Sequence, residues 1–274
     1  MRNTMVAEFS LRARRGLWAL PAVATLASVF GWSCAMAAGL NDTGVTTCAD
    51  ASGATVSCTA ATAVQGQDAR YGRDAAAGTG ALTKVGGGAN GFDFTKISNA
   101  GAVLPSTAPL GTAAGEWGCT YDNTTGLMWE VKTNSGFRSS DNRYSWYSTN
   151  SATNGGYVGF PGTSGGCNTA NRCDTEKFVQ DVNTINMCAH SDWRVPTLRE
   201  LNGLVRLGNS PAIDLGYFPN TSAVFSNIGY WTSSPDSQSP GTVWVVLFAG
   251  GQNTRLPGFD SGYLPYLRVV RSGP

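Results

Sequence analysis

Charge is scarce in this chain. Asp, Glu, Lys and Arg make up 14% of its 274 residues, against roughly a quarter in ordinary soluble domains. Histidine is nearly missing: a single His excludes multi-His zinc sites and the two-His metalloprotease motif. No run matches a Walker loop, which argues against a nucleotide-driven motor, and no C-x-x-C pair is present, which argues against thiolate zinc. Glycine, by contrast, is abundant: 35 residues predict a chain rich in turns and loops. Eight Trp, nine Tyr and eleven Phe argue against disorder throughout, because that much ring area would be left in water. With 42% hydrophobic residues there is material for one large domain or two small ones.

The first 37 residues read as a secretory signal. Arg2, Arg12, Arg14 and Arg15 lead, Gly16 to Trp32 carries no charge, and Ala35-Met36-Ala37 offers a small-x-small cleavage pattern. The alternative, an uncleaved anchor, has only 17 residues to span a bilayer, and these include Gly and Pro. Cleavage near Ala38 removes four Arg and Glu8, so 15 basic residues face 17 acidic ones, a charge of −2. That is no nucleic-acid surface, and no transmembrane anchor is expected in the mature chain.

Cleavage also leaves six cysteines, Cys48, Cys58, Cys119, Cys167, Cys173 and Cys188, an even number that suits disulfides in an oxidising compartment. Fifteen pairings are formally open. Short loops favour Cys48 with Cys58 and Cys167 with Cys173, leaving Cys119 with Cys188 to close a long loop.

Residues 38–115, dominated by Ala, Gly, Thr and Ser, read as a loosely structured lead-in. Within it Cys48 and Cys58 flank a Ser52-Gly53 turn, which suits either a small pinned hairpin or a flexible spacer. The dense part runs from residue 116 to 274. Leu127 to Val131 reads as a strand. Asp174 caps a helix over Thr175 to Met187, with Phe178, Val179, Val182 and Ile185 on one face. Thr197-Leu198-Arg199-Glu200 is a capping box opening a second helix, with Gly208 as its expected stop. Strands follow at Tyr230 to Ser233, Val243 to Phe248 and Tyr266 to Arg271. The middle one is apolar at every position, as in a central strand with both faces covered. Two short helices beside a few strands describe an α+β domain.

Four words occur in order: Asp122-Asn123-Thr124-Thr125-Gly126-Leu127-Met128-Trp129-Glu130, Ser191-Asp192-Trp193-Arg194-Val195-Pro196-Thr197-Leu198-Arg199-Glu200-Leu201, Tyr230-Trp231-Thr232-Ser233-Ser234 and Leu267-Arg268-Val269-Val270-Arg271. Together they resemble the Lcl C-terminal domain family of exported bacterial proteins, from about Trp117 to Gly273. The resemblance implies a C-type-lectin-like fold with a small mixed or antiparallel sheet. It also implies kinship with formylglycine-generating enzymes, and one member resembles an adhesin tip that binds sulfated glycosaminoglycans. A fold does not transfer a function. No cysteine follows Cys188, so the copper-binding pair of a formylglycine-generating oxidase has no counterpart here. The Glu-Pro-Asn, Gln-Pro-Asp and Trp-Asn-Asp words of calcium-dependent lectins are also missing; Asp236 and Asp260 supply only isolated oxygens. A charge of −2 fits poorly with a sulfated ligand, although Arg199 and Arg206 could share a face of the second helix.

Among individual residues, His190 beside Asp192 has no nucleophile-elbow serine and reads as a surface histidine. Arg194 and Glu200 read as a brace at the strand-to-helix corner above Trp193, with Thr197 as cap; a ligand clamp is the alternative. Trp129, Trp193 and Trp244 read as core. Tyr144-Ser145-Trp146-Tyr147, in a Gly/Asn/Ser-rich stretch, is the place to look for an exposed aromatic platform; the alternative is a loop cluster that anchors itself. The resulting expectation is an exported, non-catalytic binding module without cofactor or metal. It would recognise a glycan or envelope polymer through Tyr144, Trp146, Tyr147, Trp231 and Asp236. A structural or protein-interaction module, able to form a homo-oligomer, is the second reading. An oxidase or hydrolase on the same fold is the third, and needs a metal or an activated nucleophile.

Overall fold

Three antiparallel sheets, a handful of short helices and three disulfides make up the protein in a computed structural model, which describes residues 39–162, 166–222, 228–258 and 264–273. The expected signal segment lies outside the described residues, as does Asp260. No helix among the described residues is long and apolar enough to cross a membrane.

The N-terminal cysteines do pin a hairpin: β1 (Cys48–Ala49) pairs with β2 (Thr55–Val56), and Cys48 is bonded to Cys58. Helix α1 (Gly72–Gly78) follows. Then β3 (Phe94–Ser98), β4 (Val103–Leu104), β5 (Trp117–Asp122), β6 (Leu127–Glu130) and the C-terminal β10 (Val270–Ser272) form one sheet in the order β10-β6-β5-β3-β4. This corrects the expectation of a loose lead-in over 38–115. β3 lies inside the sheet between β5 and β4, and Phe92 and Phe94 are buried with Trp129, Phe218, Tyr230 and Phe248. Few large apolar residues do not make a spacer when the few present are all inserted into the core.

Helix α2 (Thr175–Thr184) opens at Asp174, whose carboxylate accepts from the Lys177 amide, as the sequence predicts. It stops three residues before the expected end. Asn186 and Cys188 turn into the left-handed region, at φ 53° and 52°, which breaks the helix in the stretch that bonds Cys188 to Cys119 of β5. Helix α3 (Leu198–Asn202) carries the expected capping box but ends at Gly203 rather than Gly208. Leu204 and Val205 remain buried beyond it, while the Arg206 and Leu207 amides leave helical bonding for the carbonyls of Ala212 and Thr43. Tertiary pairing overrides the helical pattern here, and Arg199 and Arg206 therefore do not share a helix face.

The second large sheet is β7 (Tyr230–Pro235), β8 (Thr242–Leu247) and β9 (Gln252–Pro257), with β8 in the middle as its apolar run predicts. Val243 and Val245 enter one core cluster with Trp146, Phe178 and Trp231; Val246 and Phe248 enter the other with Trp129 and Tyr230. Trp129 and Trp193 are core, as expected, whereas Trp244 is half-buried on the sheet surface with the Arg255 guanidinium 5.4 Å from its ring. The last expected strand pairs in a ladder only over its end. Tyr266 bonds instead to Gly229 and Trp231, and Arg268 turns wholly inward.

Candidate functional site

The four aromatic-stretch residues are not an exposed platform. Tyr144 and Trp146 are buried, at 1% and 3% exposure, and only Tyr147 keeps partial access. The physical reason is hydrogen bonding. The Tyr144 amide donates to Pro265, Ser145 to Cys173, and Tyr147 to the Thr175 hydroxyl, while the Phe160 amide donates to the Trp146 carbonyl. Trp231, also fully buried, donates its indole N–H to the Tyr144 carbonyl at 2.7 Å, and Trp146 donates to the Thr232 carbonyl at 3.1 Å. A loop-like composition thus runs through the core because its backbone polar groups are met there. Of the two readings of this stretch, the self-anchoring cluster describes Tyr144 and Trp146. Burial also pushes the Tyr144 phenol well above its usual range.

The stretch nonetheless borders a cleft of about 430 Å³. Trp146 and Tyr147 form one side, Thr175, Glu176 and Val179 of α2 another, and Arg194, Val195 and Thr197 the third, with Ser233 of β7 contributing from the remaining wall. Ser148, Asn150 and Thr153 supply the rim. The segment 146–148 is held by residues 158–160, paired across Tyr147 and Gly159. Gly159 lies at φ 85°, and a Cβ there would come within 2.3 Å of the Trp146 carbonyl oxygen, so this close approach requires glycine. Glu176 fixes the rim by accepting from the Thr149 amide at 2.6 Å and its hydroxyl at 2.9 Å.

Arg194 and Glu200 form a two-pronged pair, Nη1 to Oε2 at 2.8 Å and Nη2 to Oε1 at 2.6 Å. Glu200 Oε2 also accepts from the Thr197 amide and hydroxyl, so one carboxylate serves both the helix cap and the guanidinium. Burial would raise this carboxyl, but the bonds from Arg194 and Thr197 outweigh it and hold it below the ordinary glutamate range. Trp193 packs beneath, its indole donating to the Met187 and His190 carbonyls. The brace is therefore real, and Arg194 lines the cleft as well.

Elsewhere the expected residues do not converge. Asp236 is buried away from the cleft lining and bound to Arg255 at 2.7 Å and the Gln238 amide. Those bonds hold its carboxyl below the usual range. Asp192 is taken by Arg271 at 2.6 Å rather than oriented on His190. Sequence reasoning missed a set of three carboxylates, Asp42, Asp68 and Asp74, whose oxygens lie within 4.8 Å of one another. Asp74 accepts the amides of Gly44 and Gly91, and Asp42 those of Thr43 and Asp74, so they staple the N-terminal segment to α1. Also unforeseen is a buried ion cluster. Lys132 meets Glu130 at 2.9 Å, Arg138 approaches the same carboxylate at 3.9 Å, and Arg268 donates to the Glu130 carbonyl. Burial lowers the Lys132 ammonium to about 8 despite Glu130.

Comparison with known proteins places the order of the four sequence words in context. The family model of the Lcl C-terminal domain matches residues 118–271, more than half of the chain. The chain belongs to the Lcl C-terminal domain family. The match begins inside β5 and ends inside β10, so it takes in all of the cleft. No curated protein and no solved structure matches the chain. The three disulfides, Cys48–Cys58, Cys119–Cys188 and Cys167–Cys173, are those favoured by loop length, and they suit an extracellular or otherwise oxidising setting.

Proposed function

We propose that this Lcl C-terminal domain protein is an exported, non-catalytic binding module of C-type-lectin-like fold that holds a glycan or envelope polymer in the cleft beside Tyr147. The carrying observation is the character of that cleft. Its size lies within the roughly 300–1,000 Å³ of small-ligand sites. Each of its three sides carries aromatic or aliphatic surface, from Trp146 and Tyr147, Val179 and Val195, and the rim is hydroxyl and amide. A sugar ring needs this combination, an apolar wall for its C–H face and dipoles for its hydroxyls. Three disulfides and three short α-helices beside antiparallel sheets support the fold reading. The test is a glycan array with wild type and Tyr147→Ala. Binding that falls about tenfold or more in the variant, with unchanged thermal unfolding, is expected. An array without hits, or hits indifferent to Tyr147, would remove this reading. Trp146 is the wrong probe, because its truncation empties the core.

A further inference from the structure

We infer that the cleft selects an uncharged sugar, a neutral hexose or N-acetylhexosamine unit, over a sulfated or uronate-bearing one; this rests on the reading of the cleft as a glycan site. Among the described residues two charged side chains line it, Arg194 and Glu176. Arg194 is the only cation among the lining residues described, and both prongs of its guanidinium are committed to Glu200. Counting Glu200, which does not line the cleft but is paired to Arg194, the local balance with Glu176 is one negative charge in excess. A sulfate brought to Arg194 would have to displace a two-pronged carboxylate or sit beside two of them, and like charges close together disfavour binding. The groups left for a ligand are dipolar. The hydroxyls of Ser148 and Ser233 and the side-chain nitrogen of Asn150 have no hydrogen-bond partner among the described residues. They line the same cleft as Tyr147 and match hydroxyl and acetamido groups, which both donate and accept.

The experiment uses the full disulfide-bonded chain and titration calorimetry at low and high salt. The probes are tri-N-acetylchitotriose, maltotriose and a sulfated chondroitin tetrasaccharide. The expected result is binding of a neutral probe that changes less than about twofold with salt, since no counterions are released, and that is lost in Tyr147→Ala. The sulfated probe should stay silent on wild type and gain affinity in Glu200→Gln, which removes the carboxylate charge and frees the Nη2 prong of Arg194 while its amide oxygen keeps the cap. Glu176→Gln removes the excess charge without touching α3, and serves as the second variant should Glu200→Gln fold poorly. Tighter, Tyr147-dependent binding of the sulfated probe by wild type would overturn the charge inference while leaving the glycan site standing. Binding of no probe, or binding indifferent to Tyr147, would overturn both.

Discussion

Glu130 is the residue on which most buried charge depends. It is wholly enclosed, with Lys132 at 2.9 Å, Arg138 at 3.9 Å and Arg268 on its carbonyl. Removing a partner from a buried ion pair costs roughly 3–5 kcal/mol because the remaining charge stays desolvated. Glu130→Gln should therefore destabilise by about that amount, measured by denaturant unfolding, since it strands Lys132 and Arg138, while Arg268 keeps its bond to the main-chain carbonyl. Lys132→Met should cost much less, because Arg138 still faces the carboxylate and the Val269 amide donates to it. Equal losses in the two variants would contradict this asymmetry. Little of the cluster was legible beforehand. Glu130 and Arg268 stand within recognised words, but nothing in the periodicity tells a buried charge from a solvated one. The aromatic stretch shows the same limit from the other side: Tyr144 and Trp146 look like loop residues by their neighbours and are core by their hydrogen bonds.

At the level of elements, sequence was most informative where local chemistry decides. The Asp174 cap and the Thr197–Glu200 box are set by four consecutive residues and form as read. Their ends were misjudged because Asn186, Gly203 and the pairing of Arg206 with Ala212 are decided by distant chain. The α3 cap also predicts an acid response. Glu200 has its carboxyl held below the usual value of 4.5, so its stabilisation is complete above that pH and fades as pH falls through the lower folded value. Thermal unfolding followed from pH 6 downward, to about pH 3, should show a smaller acid loss in Glu200→Gln than in wild type. Parallel curves would mean that the carboxylate is not what titrates.

For the molecule as a whole, the bridges differ in what they restrain. Cys119–Cys188 spans 69 residues and joins the large sheet to the turn that follows α2, whereas Cys167–Cys173 spans six. Loop-closure entropy gives about 4 kcal/mol for the first and about 2 kcal/mol for the second. Paired Cys→Ala substitution should reproduce that ranking in denaturant midpoints, and a reversed order would show that local strain or residual unfolded structure dominates. The α+β class, disulfide pairing and family were readable from the chain, since they rest on composition, loop length and ordered words. The position of β3 was not, because Phe94 and the preceding Phe92 are sparse in sequence and dense only once the sheet has assembled.

That position bears on how the protein can be handled. The recognised region starts at residue 118, yet the neighbour that β5 requires on its far side is supplied from residues 94–98. A recombinant fragment trimmed to the family limits would carry a raw hydrogen-bonding rim along β5 and a hole where Phe92 and Phe94 belong, the combination that drives self-association of exposed strands. Expression boundaries should therefore be drawn upstream of Gly86, where an added Cβ would come within 2.1 Å of the Phe94 carbonyl oxygen.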